Sequence, residues 1–298
     1  MHAAATVVLV REAPSGLEVL MMRRGSSLAF MAGMWVFPGG RLEPSDHSSQ
    51  ALARLLPSSL ARCSEGLHSL AGERLDPTAA IGLHVAACRE AFEEAGVLMA
   101  VAPSGAPCDP DRVASLQSRR GAVVADATSF VRLLEEEDLR LDVGRLVYWS
   151  HWITPSFEPK RFDTRFFVAP LPPGQDASAD LSEVTEHAWI DPAGVTQAIE
   201  RGEVALAPPT LFTVEDIAES FARHGSLAAM LEAERGRPTP PVMPRIEVRE
   251  DSVRAVMPWD PGYAGASGEG CGTEQAYPPH LTRRRSSITV PPRLRGRP

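Results

Sequence analysis

The chain has 298 residues, 44% of them hydrophobic, and a formal net charge of −8. That length admits one large domain or two small ones, and the apolar content is enough for a substantial core. The acidic balance argues against a general nucleic-acid binder, and no apolar run approaches the roughly 18 residues that a membrane span needs.

The N-terminus reads Met1-His2-Ala3-Ala4-Ala5-Thr6-Val7-Val8-Leu9-Val10, with no basic leader and no long apolar stretch, so no secretory signal is expected. It reads instead as a first strand over residues 6–10, paired with Glu18–Met22 across the Pro14-Ser15-Gly16 turn. Met34–Phe37 gives a third strand, broken by Pro38-Gly39-Gly40, where the missing Cβ atoms let bare backbone approach another group. Residues 48–56 have helical character ended by Pro57. Asp76-Pro77 then reads as an N-cap with proline at the first helical position, opening a helix that runs to Ala95. Along it Ile81, Val85, Cys88, Phe92 and Ala95 recur at helical spacing and face a core.

Ala125–Leu139 is a further helix; its Glu135-Glu136-Glu137-Asp138 run points around the axis and reads as a solvated face. Strands follow at Val147–Ile153, Thr164–Ala169 and Glu186–Ile190, then helices at Pro192–Arg201 and Leu211–Arg223. The alternation predicts an α/β fold, a sandwich around a mixed sheet. Past Arg235, Arg237-Pro238-Thr239-Pro240-Pro241 is a stiff connector, and Ile246–Val256 a hairpin around Glu250-Asp251. From Tyr263 the composition turns to Gly, Ser, Pro and Arg. The domain is therefore drawn at 1–262 and the tail 263–298 expected to be disordered, with Arg283-Arg284-Arg285 solvated. Cys63, Cys88, Cys108 and Cys271 lack paired or metal-type spacing, so reduced thiols and a cytoplasmic location are expected. Lys160 is the only lysine; the arginine bias suits phosphate through its forked donors.

The most informative segment is Arg89-Glu90-Ala91-Phe92-Glu93-Glu94-Ala95-Gly96. On a helix Glu90, Glu93 and Glu94 project from one face, off the apolar stripe. Like charges that close repel one another unless a cation lies among them, and carboxylate oxygens favour hard ions such as Mg²⁺ or Mn²⁺. Arg89 can lean toward Glu93, and Gly96 supplies the left-handed residue that ends the helix.

With Trp35-Val36-Phe37-Pro38-Gly39-Gly40, this octapeptide resembles the signature of the Nudix hydrolase superfamily. Two departures stand out. Where the usual box has a glutamate, six residues past Gly40, this chain has Asp46, with Glu43 nearby; and residues 47–83 separate the two halves. A split box resembles the branch containing the peroxisomal CoA and acyl-CoA diphosphatases. That branch also has segments like Leu20-Met21-Met22-Arg23-Arg24, Trp152-Ile153-Thr154-Pro155 and Arg161-Phe162-Asp163-Thr164-Arg165-Phe166-Phe167. The resemblance implies a Nudix α/β/α sandwich with 47–83 as a helical insertion inside the box. It also implies metal-dependent hydrolysis of a pyrophosphate bond, giving 3′,5′-ADP and a 4′-phosphopantetheine if the substrate is CoA or acyl-CoA.

The implied metal ligands are Glu90, Glu93, Glu94 and a carbonyl of the glycine turn, assigned to Gly40. Arg89 would orient the carboxylates without touching metal. For the general base, Glu183 is favoured over Glu186, with His187 and His151 less favoured. Arg23, Arg24, Arg161 and Arg165 are candidate phosphate ligands, and Phe30, Met31, Met34 and Trp35 a candidate apolar channel. A small-molecule nucleotide is the expected partner, a homodimer is admitted, and neither nucleic acid nor membrane is expected. Two alternatives stay open: a nucleotide-sugar or dinucleotide diphosphatase, and a non-catalytic nucleotide-sensing or interaction module.

Overall fold

A computed structural model of the chain describes residues 1–25, 31–63, 67–70, 72–178, 184–248, 253–271, 277, 279–282 and 287–290. Strands β1 (His2–Ala13) and β2 (Gly16–Arg24) form the opening hairpin, followed by β3 (Trp35–Val36) and β4 (Gly39–Arg41). Short helices α1 (Ser49–Ala53) and α2 (Leu60–Cys63) lead to the long α3 (Pro77–Ala95). Next come β5 (Ala100–Val101), α4 (Pro110–Leu116), α5 (Arg120–Ala125), α6 (Thr128–Glu136) and β6 (Arg140–Leu141). Strands β7 (Val147–Ile153), β8 (Phe162–Pro170) and β9 (Val184–Ile190) precede helices α7 (Val195–Glu200), α8 (Pro208–His224) and α9 (Leu227–Ala233). The last described elements are β10 (Pro241–Val242), β11 (Arg245–Val248), β12 (Val253–Val256), α10 (Pro279–Thr282) and β13 (Ser287–Val290).

The main sheet is mixed: β10, β7, β8, β1, β2 and β3 lie in that order, with β4 on β1 and β9 on β2. β1 pairs β8 in parallel and β2 antiparallel. Past their hairpin, β1 and β2 part: β4 takes the edge of β1 from Ala4 to Thr6, and β3 takes β2 at Met22 and Arg23. The glycine turn is thereby wedged into the sheet.

Alternation along β1 divides the core in two. Ala5, Val7 and Leu9 pack toward α3, whereas Val8 and Val10 pack toward α8 and α9. Helix α3 starts as its sequence predicts, with Asp76 accepting from the amides of Thr78 and Ala79 and Pro77 at the first position. Gly96 ends it at φ 66. Val85, Cys88, Phe92 and Ala95 are buried as the stripe predicts, but so are Gly82, His84, Ala86, Ala87, Arg89 and Glu90. The helix is covered nearly all round because the segment before it folds back over it. Leu55, Cys63 and Leu67 join the same apolar cluster as Val85 and Phe92.

Within the segment 263–298, expected to be disordered, the described residues are packed. Tyr263, Cys271 and Leu281 are buried. The Tyr263 hydroxyl donates to the Met243 carbonyl at 2.6 Å, the Tyr277 hydroxyl donates to Pro241 at 2.9 Å, and β13 pairs with β12. A composition poor in large apolar residues hid two tyrosines whose hydroxyls fasten the tail to β10 and its flank. The β11–β12 pair forms as expected; its Glu250-Asp251 connection and Arg283-Arg284-Arg285 lie outside the described residues. All four cysteines are free, and among the described residues no helix is long and apolar enough to cross a membrane.

Candidate active site

The two halves of the split motif meet where β4 crosses the C-terminal half of α3. Gly40 pairs with Ala5 on β1 and faces Glu90; a Cβ at position 40 would collide with the Glu90 carboxylate. At Gly39 a Cβ would stand 2.6 Å from Thr6 Oγ1, and its amide donates to Glu94 Oε2 at 3.0 Å. Both glycines are therefore required by close approach, one by a side chain and one by a strand.

Arg89 sits at the centre, 2% exposed. Its Nε and Nη2 donate to the two oxygens of Asp46 at 2.9 and 3.0 Å, a forked pair. Nη1 donates to Glu90 Oε1 at 2.7 Å and Glu93 Oε1 at 3.2 Å, and Nη2 also reaches the Arg41 carbonyl at 2.9 Å. Burial works against the charge of this guanidinium, but the bonds to Asp46 and the nearby glutamates hold its pKa above the ordinary value. Asp46 is equally enclosed and is fixed in turn by the Glu43 amide at 2.9 Å. The aspartate that departs from the usual box is thus the fork partner of Arg89, a role that its spacing from Gly40 alone did not reveal.

Burial pushes the Glu90 carboxyl up to about 7, with Arg89 opposing and Glu93 adding to the shift. Glu93 is raised for the same leading reason. Among the described residues no group of His, Cys, Asp or Glu side chains forms a ready cation cage. The reason is local: Glu90 and Glu93 turn to Arg89, and Glu94 turns to the Gly39 amide. The carboxylates share a neighbourhood without yet converging on one point. Their oxygens are the hard donors that Mg²⁺ or Mn²⁺ prefers.

The other candidates are scattered. Arg23 pairs loosely with Glu186 at 3.6 Å between β2 and β9, both half-exposed. Arg24 follows at the β2–β9 bulge, its amide donating to the Met34 carbonyl at 2.9 Å. Arg161 engages Glu269 Oε2 at 3.1 Å and the Thr154 carbonyl at 3.2 Å. Arg165 departs from its expected phosphate role. It is 1% exposed, paired with Asp163 at 2.7 Å and donating to the His68 carbonyl at 2.8 Å, so phosphate would have to displace internal partners. His151 is likewise enclosed, its Nε2 2.5 Å from Asp163, and burial lowers its pKa. His187 and Glu186 are exposed on β9, whereas Glu183 and Phe30 lie outside the described residues. Met34 and Trp35 are buried beside the turn. The Glu136 and Glu137 carboxylates pair with Arg119 and Arg112 at the surface, as the solvated reading of that run expects.

A profile described as the NUDT19 Nudix domain matches residues 1–217. The chain belongs to this family. It is 31% identical over 229 residues to the acyl-coenzyme A diphosphatase NUDT19 of Homo sapiens, covering 68% of this chain and 61% of that protein. To the protein of the same description from Gallus gallus it is 31% identical over 255 residues, 70% of this chain and 66% of the relative. The chain therefore spans somewhat less than two thirds of the length of these relatives. Among solved structures, the NUDIX hydrolase from Alicyclobacillus acidocaldarius superposes with a TM-score of 0.55 at 28% identity, covering 74% of this chain and 91% of that one. The matched Nudix span contains both halves of the motif and Asp46, whereas the packed tail beyond α8 falls outside it.

Proposed function

We propose that this Nudix domain is a metal-dependent diphosphatase that cleaves the pyrophosphate bond of acyl-CoA or CoA. One observation carries the reading: Arg89 ties the Arg41 carbonyl just past the glycine turn, Asp46, Glu90 and Glu93 into one hydrogen-bonded unit although residues 47–83 separate its halves. The similarity to acyl-coenzyme A diphosphatases supports the substrate class. Residues 47–83 are read as an insertion within the box that shapes the substrate entrance.

Glu90, Glu93, Glu94 and the Gly40 carbonyl would hold the cation. When bound, Mg²⁺ or Mn²⁺ there supplies neutralisation of the phosphate charge and a more acidic water. Arg89 holds Glu90 and Glu93 from one nitrogen while its fork is occupied by Asp46, so the glutamates keep their spacing with oxygens to spare. Gly39 fixes Glu94 through its amide. Arg23 and Arg24, at the end of β2 beside Trp35, are the assigned phosphate contacts. Glu183 is the assigned base that takes the proton of the attacking water.

Incubation with acyl-CoA and Mg²⁺, followed by mass spectrometry, should give 3′,5′-ADP and an acyl-4′-phosphopantetheine, with none formed in EDTA. Cleavage of NADH, ADP-ribose or diadenosine polyphosphates with CoA and its esters left intact would move the assignment to a dinucleotide or nucleotide-sugar diphosphatase. No hydrolysis of any of these would favour a sensing module.

A further inference from the structure

Helix α3 places Glu90, Glu93 and Glu94 in its last two turns, at the negative pole of the helix, and its last turn contains no basic residue. Carboxylates there are unfavourable, and the terminal carbonyls need donors as well. The Schellman-type turn at Gly96 uses the amides of Gly96 and Val97 on Phe92 and Ala91. It leaves the carbonyls of Glu93, Ala95 and Gly96 to be satisfied from elsewhere.

They are satisfied by two distant segments. Arg120, at the start of α5, donates Nε and Nη2 to the Glu93 carbonyl at 3.1 and 2.8 Å. The Ser178 amide donates to Ala95 at 2.8 Å, and Gln117 Nε2 donates to Gly96 at 3.2 Å. These side chains also bind one another: Arg120 Nη1 donates to Ser178 Oγ at 3.0 Å, and Ser178 Oγ donates to Gln117 Oε1 at 2.8 Å. The clamp is tight against the backbone, since a Cβ at Gly96 would stand 2.6 Å from Ser178 Oγ and 3.1 Å from both Arg120 Nη1 and Gln117 Oε1. Gly96 is thus fixed by space as well as by its positive φ.

Arg120 is 9% exposed and its guanidinium lies on the main chain of Glu93, while the Glu93 carboxylate bonds to Arg89. A cation placed this way offsets the helix pole without drawing that carboxylate away from the site. We infer that Arg120, with Gln117 and Ser178, is a positioning device that fixes the final turn of α3 and thereby sets the affinity of the Glu90–Glu93–Glu94 group for a divalent cation. This rests on the metal-dependent reading above.

The test is Mn²⁺ binding to the substrate-free protein, measured by electron paramagnetic resonance, alongside circular-dichroism melts and Mg²⁺ activation curves. Arg120→Met should weaken Mn²⁺ binding about tenfold, the scale of losses in the shell supporting a metal site. The activation constant should rise in step, and KM for acyl-CoA at saturating metal should stay within about twofold. Arg120→Lys, which keeps one donor and the charge, should recover part of the loss. Gln117→Leu, which removes the Gly96 cap and the acceptor of Ser178 Oγ but leaves the Arg120 bonds to Glu93, should cost about two- to threefold. A folded Arg120→Met protein that binds Mn²⁺ like wild type overturns the inference, because a merely structural role would move the melt alone. Should Arg120→Met fail to fold, unchanged Mn²⁺ affinity in both Gln117→Leu and Ser178→Ala overturns it equally. Wild-type protein that binds no Mn²⁺ and hydrolyses acyl-CoA in EDTA would instead refute the metal reading itself.

Discussion

Two arginine–aspartate pairs are buried here to the same depth, Arg89 at 2% exposure and Arg165 at 1%, and they differ in charge balance. Arg89 holds Asp46, Glu90 and Glu93, with Glu94 beside them on the Gly39 amide. Arg165 holds Asp163, which also holds the His151 ring. Burial pushes both acidic groups upward. At Asp163 the hydrogen bond from His151 and the charge of Arg165 win, and the pKa falls below its ordinary value; at Glu90 burial wins, and it rises to about 7. A balanced buried pair is a fastening whose partners need each other. A surplus of buried negative charge is unfavourable as it stands, and it marks a place suited to a cation.

The sharpest way to break this comparison is to remove one carboxylate charge from the group around Arg89. Glu94→Gln keeps an oxygen for the Gly39 amide, so the melt should shift by less than about 1 kcal/mol. Turnover should fall on the order of a thousandfold, as when one electrostatic contact to a transition state is lost. Near-wild-type kcat in this variant would remove Glu94 from the metal-binding group.

The second test concerns what backs the balanced pair. β10 aligns Pro241 with His151 on β7, and Tyr263 and Cys271 pack against Ile153 and Met243. Ending the chain after Gly262 strips these residues from the Arg165 side of the molecule. We expect a loss of about 3–5 kcal/mol, the scale of deleting a buried aromatic side chain, with acyl-CoA turnover per folded molecule little changed. An unaltered urea midpoint would show that the tail contributes nothing to stability.

What the sequence disclosed follows the same division between local and distant contacts. Asp76, Pro77 and Gly96 bound α3 through neighbours in the chain, and the octapeptide 89–96 states its own carboxylate spacing, so both were legible. The fork between Asp46 and Arg89 was not, because a residue pair so far apart in sequence has no period to betray it. Arg120 was invisible for the same reason: at the start of an unremarkable surface helix, nothing marks it as the donor to Glu93. Arg165 misled because a strand arginine near a motif looks available, while alternation on β8 turns it inward with Phe167 and Asp163. At Tyr263 and Tyr277 composition misled, because it counts residues and not the carbonyls a tyrosine can reach.

Arg165→Met sharpens the comparison from the other side. It leaves Asp163 beside the neutral ring of His151 and the His68 carbonyl without its donor. Removing one partner of a buried pair is expected to cost about 3 kcal/mol. The folded fraction should hydrolyse acyl-CoA with kcat within about twofold of wild type, since the residue serves packing. A large rise in KM with an unchanged melt would restore Arg165 to the phosphate-binding group.

The smallest expected effect is a pH dependence, and it comes from the uncharged stretch of the helix whose far end is overcharged. His84 is fully enclosed on α3, with Nδ1 2.8 Å from the Ala80 carbonyl and its ring 4.5 Å from that of Phe167. Burial lowers its pKa from 6.5 to about 4, against the raising effect of the Ala80 bond. The unfolded chain therefore takes up a proton as pH falls through 6.5, whereas the folded protein does not until about 4. The stabilisation is complete above 6.5 and is lost progressively as pH falls toward 4, so stability rises with pH across that window. Between pH 7 and pH 5 the loss should be on the order of 1–2 kcal/mol. His84→Gln retains a donor for Ala80 and does not titrate, so its urea midpoint should fall less than that of wild type over the same interval. Parallel pH slopes for the two proteins would mean that His84 is protonated in the folded state at its ordinary pKa, and that this part of the helix is open to water.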